Sequence, residues 1–519
     1  MNMTAHRTTD TGHSMNVSPS PDPGTDSSAH IGEDGYKKSL NGRQIRMIAI
    51  GGAIGTGLFL GAGSRLQAAG PSLAIVYLIC GIFSFLILRA LGELVMYRPT
   101  SSSFVFYARE FLGVKASYVA GWMSFLNWAM TGIVDITAVA LYMHYWPAFT
   151  AVPQWVFALM ALLIVTSMNM ISVKYFGEME FWFSIIKVLA LVIFLIVGSV
   201  ILSMGWPVHG ETPGLHLIVE NGGFFPHGLL PALILTQGVV FAYSAIELIG
   251  TAAGESANPR KILPGAINSV VWRIGLFYVG SVVLLVCLMP WTAYQAGTSP
   301  FVTFFTALKV PGIGTVMNIV VLTAALSSLN SGLYSTGRIL RALALGGSAP
   351  RYLTRMNRSH VPSAGILTTV AIYIIGVFLN YIVPSQVFEI VLNVSALGII
   401  STWAFIVASQ IAYRRRVRRG DLPSAGFEMP GAPFTSWLTL AFLGSVLVLM
   451  VFDYPAGTYT IASIPLIALA LIIGWYRLPH KPPVLMPETF SSVILTHDIL
   501  EVPEEEEEKK KSGKSNKQP

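Results

Sequence analysis

Residues 47–59 read Met47-Ile48-Ala49-Ile50-Gly51-Gly52-Ala53-Ile54-Gly55-Thr56-Gly57-Leu58-Phe59, an apolar run without charge in which four of the seven residues 51–57 are glycine. Each glycine costs a helix interior about 1 kcal/mol relative to alanine. In a membrane-embedded helix that weakness lets the backbone unwind, so that N–H and C=O groups face a cavity instead of the next turn. A second stretch has the same character: Phe241-Ala242-Tyr243-Ser244-Ala245-Ile246-Glu247 runs on to Gly250 and Gly254-Glu255. Two such breaks at mid-membrane suit a zwitterion, with half-helix N-termini receiving a carboxylate and exposed carbonyls receiving an ammonium. The pairs Gly51/Gly55 and Gly57/Gly61 also fit a plainer reading, small residues that let helices pack closely.

The rest of the chain supplies the membrane that this reading needs. Of 519 residues, 53% are hydrophobic and 11% charged, with mean hydropathy +0.62. Soluble domains carry about a quarter charged residues, which excludes an ordinary soluble enzyme, and so apolar a chain does not stay unfolded. Cys80 and Cys287 both sit in apolar runs and read as buried thiols. The net charge of +7 comes from basic residues at the ends of apolar segments, which is membrane topology and not a nucleic-acid surface.

A bilayer core needs about 20 apolar residues per helix. Runs of that size are 47–66, 73–95, 118–142, 152–171, 181–201, 229–250, 274–291, 316–342, 364–381, 387–411, 434–452 and 458–476, which predicts an all-α polytopic membrane protein of about twelve spans. The two glycine-broken spans are the first and the sixth, the spacing an inverted repeat of five plus five helices would give. Lys37, Lys38, Arg43 and Arg46 precede the first span, Arg98, Arg109 and Lys115 follow the second, and Arg260, Lys261 and Arg273 follow the sixth. Arg351, Arg355 and Arg358 follow the eighth, and Arg414, Arg415, Arg416, Arg418 and Arg419 follow the tenth. All fall on one side, and the alternate connections carry only Arg65 and Lys309, so both termini are expected in the cytoplasm. Residues 1–35 read as a disordered tail, 36–480 as the transmembrane domain and 481–519 as a charged disordered tail. Gly513-Lys514-Ser515 lacks the upstream glycine and strand of a phosphate loop.

Ionisable residues inside the spans are costly and point to function or to pairing. Lys187 in the fifth span is either a proton carrier or a structural cation, permanently paired or snorkelling to the interface. Glu247, just past the sixth-span break, can meet a substrate or a neighbouring helix. Asp135, mid-way along the third span, either makes an ion pair or a hydrogen-bonded helix contact, or lines the side-chain end of a cavity, where its carboxylate would accept a hydrogen bond from a carboxamide and repel a second carboxylate. Glu93 and Glu110 lie near Arg98 and Arg109 and suit ion pairs, and Trp122, Phe125 and Trp128 suit packing. A channel would need polar rings along several helices, and a membrane enzyme would need a metal or Ser/His cluster. The polar residues instead gather at two breaks, which favours a carrier without cofactor or metal, and a nutrient-sensing receptor is the remaining rival.

Several stretches carry a resemblance. Residues 47–59, Gly92-Glu93-Leu94, Tyr107-Ala108-Arg109-Glu110, Phe181-Trp182-Phe183-Ser184-Ile185-Ile186-Lys187-Val188, Gly254-Glu255 followed by Pro259, and Ser299-Pro300-Phe301-Val302 resemble the bacterial amino-acid permeases of the amino acid, polyamine and organocation superfamily. The similarity extends over roughly residues 35–476. Residues 127–135 and 322–330 are similar, more narrowly, to the asparagine-carrying branch of that family. The resemblance implies a LeuT-like fold of five plus five helices and two C-terminal ones, in a bacterial inner membrane. It implies that Ala53, Ile54, Gly55, Thr56 and Gly57 receive the substrate carboxylate and that Phe241, Ala242, Tyr243 and Ser244 receive its ammonium. It also implies import driven by protons, with Lys187 standing where sodium-driven relatives place an ion, and asparagine or another neutral amino acid as substrate.

Overall fold

Eighteen α-helices carry the fold of the computed structural model, which describes residue 47 and residues 54–99, 103–171, 173–248, 259–384 and 387–478. The two tails, Lys37 to Arg46, Gly51 to Ala53, and Gly250 to Glu255 lie outside the described residues, as do the side chains of Arg260 and Lys261. The helices are α1 (Thr56–Phe59), α2 (Gly61–Ala69), α3 (Leu73–Tyr97), α4 (Ser103–Leu112), α5 (Val114–Met143), α6 (Gln154–Ile171), α7 (Val173–Met204), α8 (His216–Glu220) and α9 (Leu229–Ile234). They continue as α10 (Thr236–Ala242), α11 (Pro259–Arg273), α12 (Ser281–Leu288), α13 (Pro300–Ala307), α14 (Ile313–Leu345), α15 (Ser363–Ile382), α16 (Val387–Arg419), α17 (Phe434–Met450) and α18 (Ala456–Arg477). A single isolated bridge, Val208 to Glu211, is the only strand-like pairing among the described residues.

Nine helical stretches among these residues are long and apolar enough to cross a membrane, and two shorter apolar helices, Leu229–Ala242 and Phe434–Met450, accompany them. With no water to satisfy a backbone in hydrocarbon, helices are the natural solution for such runs. Large apolar side chains such as Leu163, Trp182, Ile196, Phe378 and Leu466 are exposed on the outside, where lipid rather than water would meet them. The protein is therefore a multi-pass membrane protein.

Several boundaries differ from the sequence expectation. The Arg414 to Arg419 cluster continues α16 rather than forming a loop. The seventh span begins at Pro259 instead of 274 and contains a π-helical turn, Ile274–Gly280, before α12. The helical stretch of the sixth span, Leu229–Ala242, has a one-residue irregularity at Leu235 between α9 and α10 and gives way to turns after Ala242 instead of running helically to 250.

The third span, α5, lies deepest, packed against α16, α14, α4 and α6. Close approach there depends on missing side chains: a β-carbon at Gly398 of α16 would stand 2.7 Å from the Asn127 backbone nitrogen of α5. At the arginine-rich end, Glu93 is buried and accepts hydrogen bonds from Arg414 Nε (2.6 Å), Gln410 Nε2 (3.0 Å) and the Met429 N–H (3.0 Å). Glu93 thus ties α3 to α16 and to the segment leading to α17, a pairing across more than 300 residues that replaces the expected pair with Arg98. Glu110 does pair with Arg98, at 3.5 Å and more exposed.

The two ion pairs, Glu93–Arg414 and Glu110–Arg98, should respond differently to mutation. Removing one partner of a buried pair strands the other and costs about 3 to 5 kcal/mol, whereas exposed pairs are worth about 0 to 1 kcal/mol. Thermal unfolding of the purified protein should show Glu93→Ala strongly destabilised and Arg98→Ala near wild type. Equal shifts would contradict the assigned roles.

Candidate functional site

The break in the first span begins at Gly55, whose backbone is extended (φ −134°, ψ −162°) and whose residue offers no side-chain cap to α1. Leu58 N–H and Phe59 N–H both donate to the Gly55 carbonyl, at 3.3 Å each. The earlier N–H groups of a helix have no partner within it. The Thr56 side chain turns away from them and donates to Asp135 Oδ1 at 2.9 Å.

The break in the sixth span follows α10. Tyr243 N–H donates to the Val240 carbonyl and Ser244 N–H to the Phe241 carbonyl, tight turns that end the helix, and Ala245 takes a left-handed conformation with φ +69°. An alanine at positive φ is strained, so the surrounding packing holds the chain in this bend. The helices beside the two breaks touch: a β-carbon at Gly57 would stand 2.6 Å from Ala242 Cα and 3.0 Å from the Phe241 ring. Gly57 thus lets the start of α1 meet the end of α10. Among the described residues, the same addition at Gly55 meets only the Ser328 side chain, Oγ at 3.8 Å and Cβ at 3.9 Å.

Asp135 is completely enclosed. Beyond Thr56, its carboxylate faces the hydroxyl of Ser328 on α14, and its Oδ2 has no hydrogen-bond partner among the described residues. Of the residues the sequence singles out, Thr56 meets Asp135 and Gly57 meets Phe241 and Ala242; Ile54 and Gly55 lead directly into Thr56, while Ala53 lies outside the described residues. Ser244, half-buried, follows directly on Ala242 and Tyr243 in the same turn.

Two predicted residues point elsewhere. The Tyr243 hydroxyl donates to the Tyr77 carbonyl at 2.8 Å and its ring stacks on Tyr278 at 4.6 Å, so only its backbone belongs to the break. Glu247 is buried and accepts from Trp403 Nε1 of α16 at 3.4 Å, a helix contact.

Lys187, also buried, donates to Ser327 Oγ at 2.9 Å and lies 3.8 Å from Glu180 Oε1. It is close enough to Asp135 for the two charges to interact. It is paired, as one of the two sequence readings had it, and it sits at mid-bundle rather than reaching for an interface.

Sequence reasoning missed Ser327, Ser328, Glu180 and Arg65 as parts of this region. Arg65 is enclosed between the broken spans, its Nη1 donating to the Gly57 carbonyl at 3.4 Å. Its position inside the apolar run 47–66 was the available signal. Nearby, Gln237 Nε2 donates to Asp453 Oδ2 at 2.5 Å and Ser64 to Glu389 Oε1 at 2.8 Å. Burial, with the Glu389 charge adding to it, pushes the Asp453 carboxyl above its ordinary value.

Known proteins agree with this architecture. The sequence profile of the family described as amino acid permease matches residues 44–485. The L-asparagine permease of Salmonella typhimurium is 68% identical over 472 residues, covering 90% of this chain and 95% of the relative. That of Escherichia coli is 70% identical over 444 residues (86% and 89%), and that of Streptomyces coelicolor 57% identical over 453 residues (87% and 93%). With the start of α1 and the end of α10 meeting at Gly57, a buried carboxylate beside them and a family match over most of its length, the chain belongs to the amino acid permease family, whose members are transporters and not enzymes.

Proposed function

We propose that this permease imports L-asparagine together with a proton by alternating access. Relatives at 57 to 70% identity that bear the name L-asparagine permease support the substrate, and the observation that carries the reading is the buried Asp135 carboxylate anchored by Thr56 at the first-span break. The backbone of Ile54 and Gly55 and the first N–H groups of α1 at Thr56 and Gly57, with Ala53 before them, receive the substrate carboxylate, and the carbonyls of Phe241 to Ser244 receive the ammonium. Asp135 Oδ2 accepts a hydrogen bond from the substrate carboxamide. An aspartate there would bring two carboxylates together in a low dielectric, so asparagine is preferred. Glu247 acts by holding the sixth-span bend to α16.

In this reading twelve spans form a LeuT-like five-plus-five repeat with two C-terminal helices in a bacterial inner membrane, and the arginine-rich end and both termini are cytoplasmic. Lys187 carries the coupled proton. A zwitterion entering with one proton moves one net charge, worth about 2.3 kcal/mol per 100 mV. Radiolabelled asparagine uptake into proteoliposomes should be electrogenic, driven by an inside-alkaline pH gradient, collapsed by a protonophore and indifferent to sodium. A sodium requirement at fixed pH and voltage would overturn the proton assignment.

Selectivity supplies a second check. Asp135→Asn should weaken asparagine transport and reduce the preference over aspartate by about tenfold, or about 1.4 kcal/mol. Wild-type rates with an unchanged preference would make Asp135 structural.

The glycines supply a third. Gly57→Ala forces two backbones apart and should cost about 1 to 3 kcal/mol of stability, with transport lost alongside. Gly55→Ala has room and an ordinary backbone conformation, so the protein should unfold at the wild-type temperature while uptake falls about tenfold, a loss of about 1.4 kcal/mol of binding. Unchanged transport by Gly55→Ala would move the carboxylate site elsewhere.

A further inference from the structure

Lys187 and Glu180 lie seven residues apart on α7, two turns along one face. Between them stands a hydroxyl from another helix. Lys187 Nζ donates to Ser327 Oγ at 2.9 Å, and Ser327 Oγ donates to Glu180 Oε1 at 2.7 Å. The direction of the chain of donors is fixed by chemistry, since an ammonium has no acceptor and an ionised carboxylate has no donor. All three side chains are fully buried, Glu180 at 0% and Lys187 at 1% exposure. Glu180 Oε2 has no hydrogen-bond partner among the described residues.

A permanent ion pair does not need this arrangement. A direct contact between ammonium and carboxylate would be the shorter route to neutrality, and here that distance is 3.8 Å with a hydroxyl interposed. The geometry instead matches a proton wire. It also has an orientation: Asn357, within the arginine-bearing segment after α14, donates to the Met170 carbonyl just before α7, so Glu180 lies nearer than Lys187 to the arginine-rich end.

We propose that Glu180 accepts the transported proton from Lys187 through Ser327 and passes it toward the arginine-rich end. This rests on the proton-symport reading above. In the step, an Nζ–H bond of the Lys187 ammonium breaks and its proton binds Ser327 Oγ. The original Ser327 O–H bond breaks, and that proton binds Glu180. The products are a neutral amine, an intact hydroxyl and a neutral carboxylic acid. Net charge is unchanged, and two buried charges are exchanged for none, which removes the desolvation cost the ion pair bears. Among the described residues, Asp135 of α5 is a charged group whose field reaches Lys187, and Arg338 of α14 lies over the Tyr334 ring at 4.1 Å. Tyr334 in turn stacks on Phe176, one turn from Glu180 on α7.

The experiment compares two modes of transport in proteoliposomes. Net accumulation driven by an inside-alkaline gradient requires the proton to leave in every cycle. Exchange of external for internal asparagine, with both sides saturated at one pH, does not. Glu180→Gln keeps the shape but cannot take the proton, so gradient-driven accumulation should fall by about tenfold or more, with exchange falling far less. Ser327→Ala should show the same split, and Glu180→Asp should restore much of the accumulation. If Glu180→Gln fails to reach the membrane, Ser327→Ala carries the readout. Accumulation at the wild-type level, or accumulation and exchange lost in equal proportion, overturns the relay alone. A wild-type carrier indifferent to the pH gradient overturns the symport reading and the relay with it.

Discussion

The hydrogen bond from Thr56 to Asp135 joins the start of α1 in the first span to the most enclosed helix of the bundle. A carboxylate within the hydrocarbon region is expensive unless it is solvated by the protein, and an unwound backbone is expensive for the same reason. Each solves part of the other's problem. Asp135 ties the start of α1 to α5 through Thr56, and α1 meets α10 at Gly57 and Ala242, where the helix of the sixth span ends. Without Gly57, whose missing side chain lets Ala242 approach, the two helices could not pack this closely.

The same economy runs along α14. Ser327 serves Lys187 and Glu180 on α7, Ser328 faces Asp135 on α5, and Asn330 accepts a 2.7 Å hydrogen bond from Asn169 on α6. Three polar residues within one turn thus meet three different helices. The Asp135 region and the Lys187 region are adjacent through Ser327 and Ser328. A change in which group holds a proton at Lys187 alters the field at Asp135, and Asp135 holds the break through Thr56.

Much of this was legible in the sequence because the membrane makes polar residues conspicuous. Asp135 and Lys187 stood out as charges inside apolar runs, and the glycine clusters marked both breaks. Glu180 was passed over because it sits immediately before residue 181, where the apolar run of the fifth span was taken to start, whereas α7 begins at Val173 and carries Glu180 inside. Glu93 was expected to pair with a neighbour in sequence and instead found Arg414, a partner that only the packing of α3 against α16 supplies. Tyr243 illustrates the opposite limit: its position in the break was readable, but the aromatic partners that turn its side chain toward Tyr77 and Tyr278 come from helices distant in the chain.

The central claim is that the meeting of the two breaks beside Asp135 is where the amino acid sits. An experimental structure of the protein with asparagine bound tests it most directly. The account predicts the asparagine carboxylate at the backbone of residues 54–57, its ammonium at the carbonyls of residues 241–244 and its carboxamide against Asp135. Asparagine bound at a position touching neither unwound segment, or with its carboxamide turned away from Asp135, would contradict it.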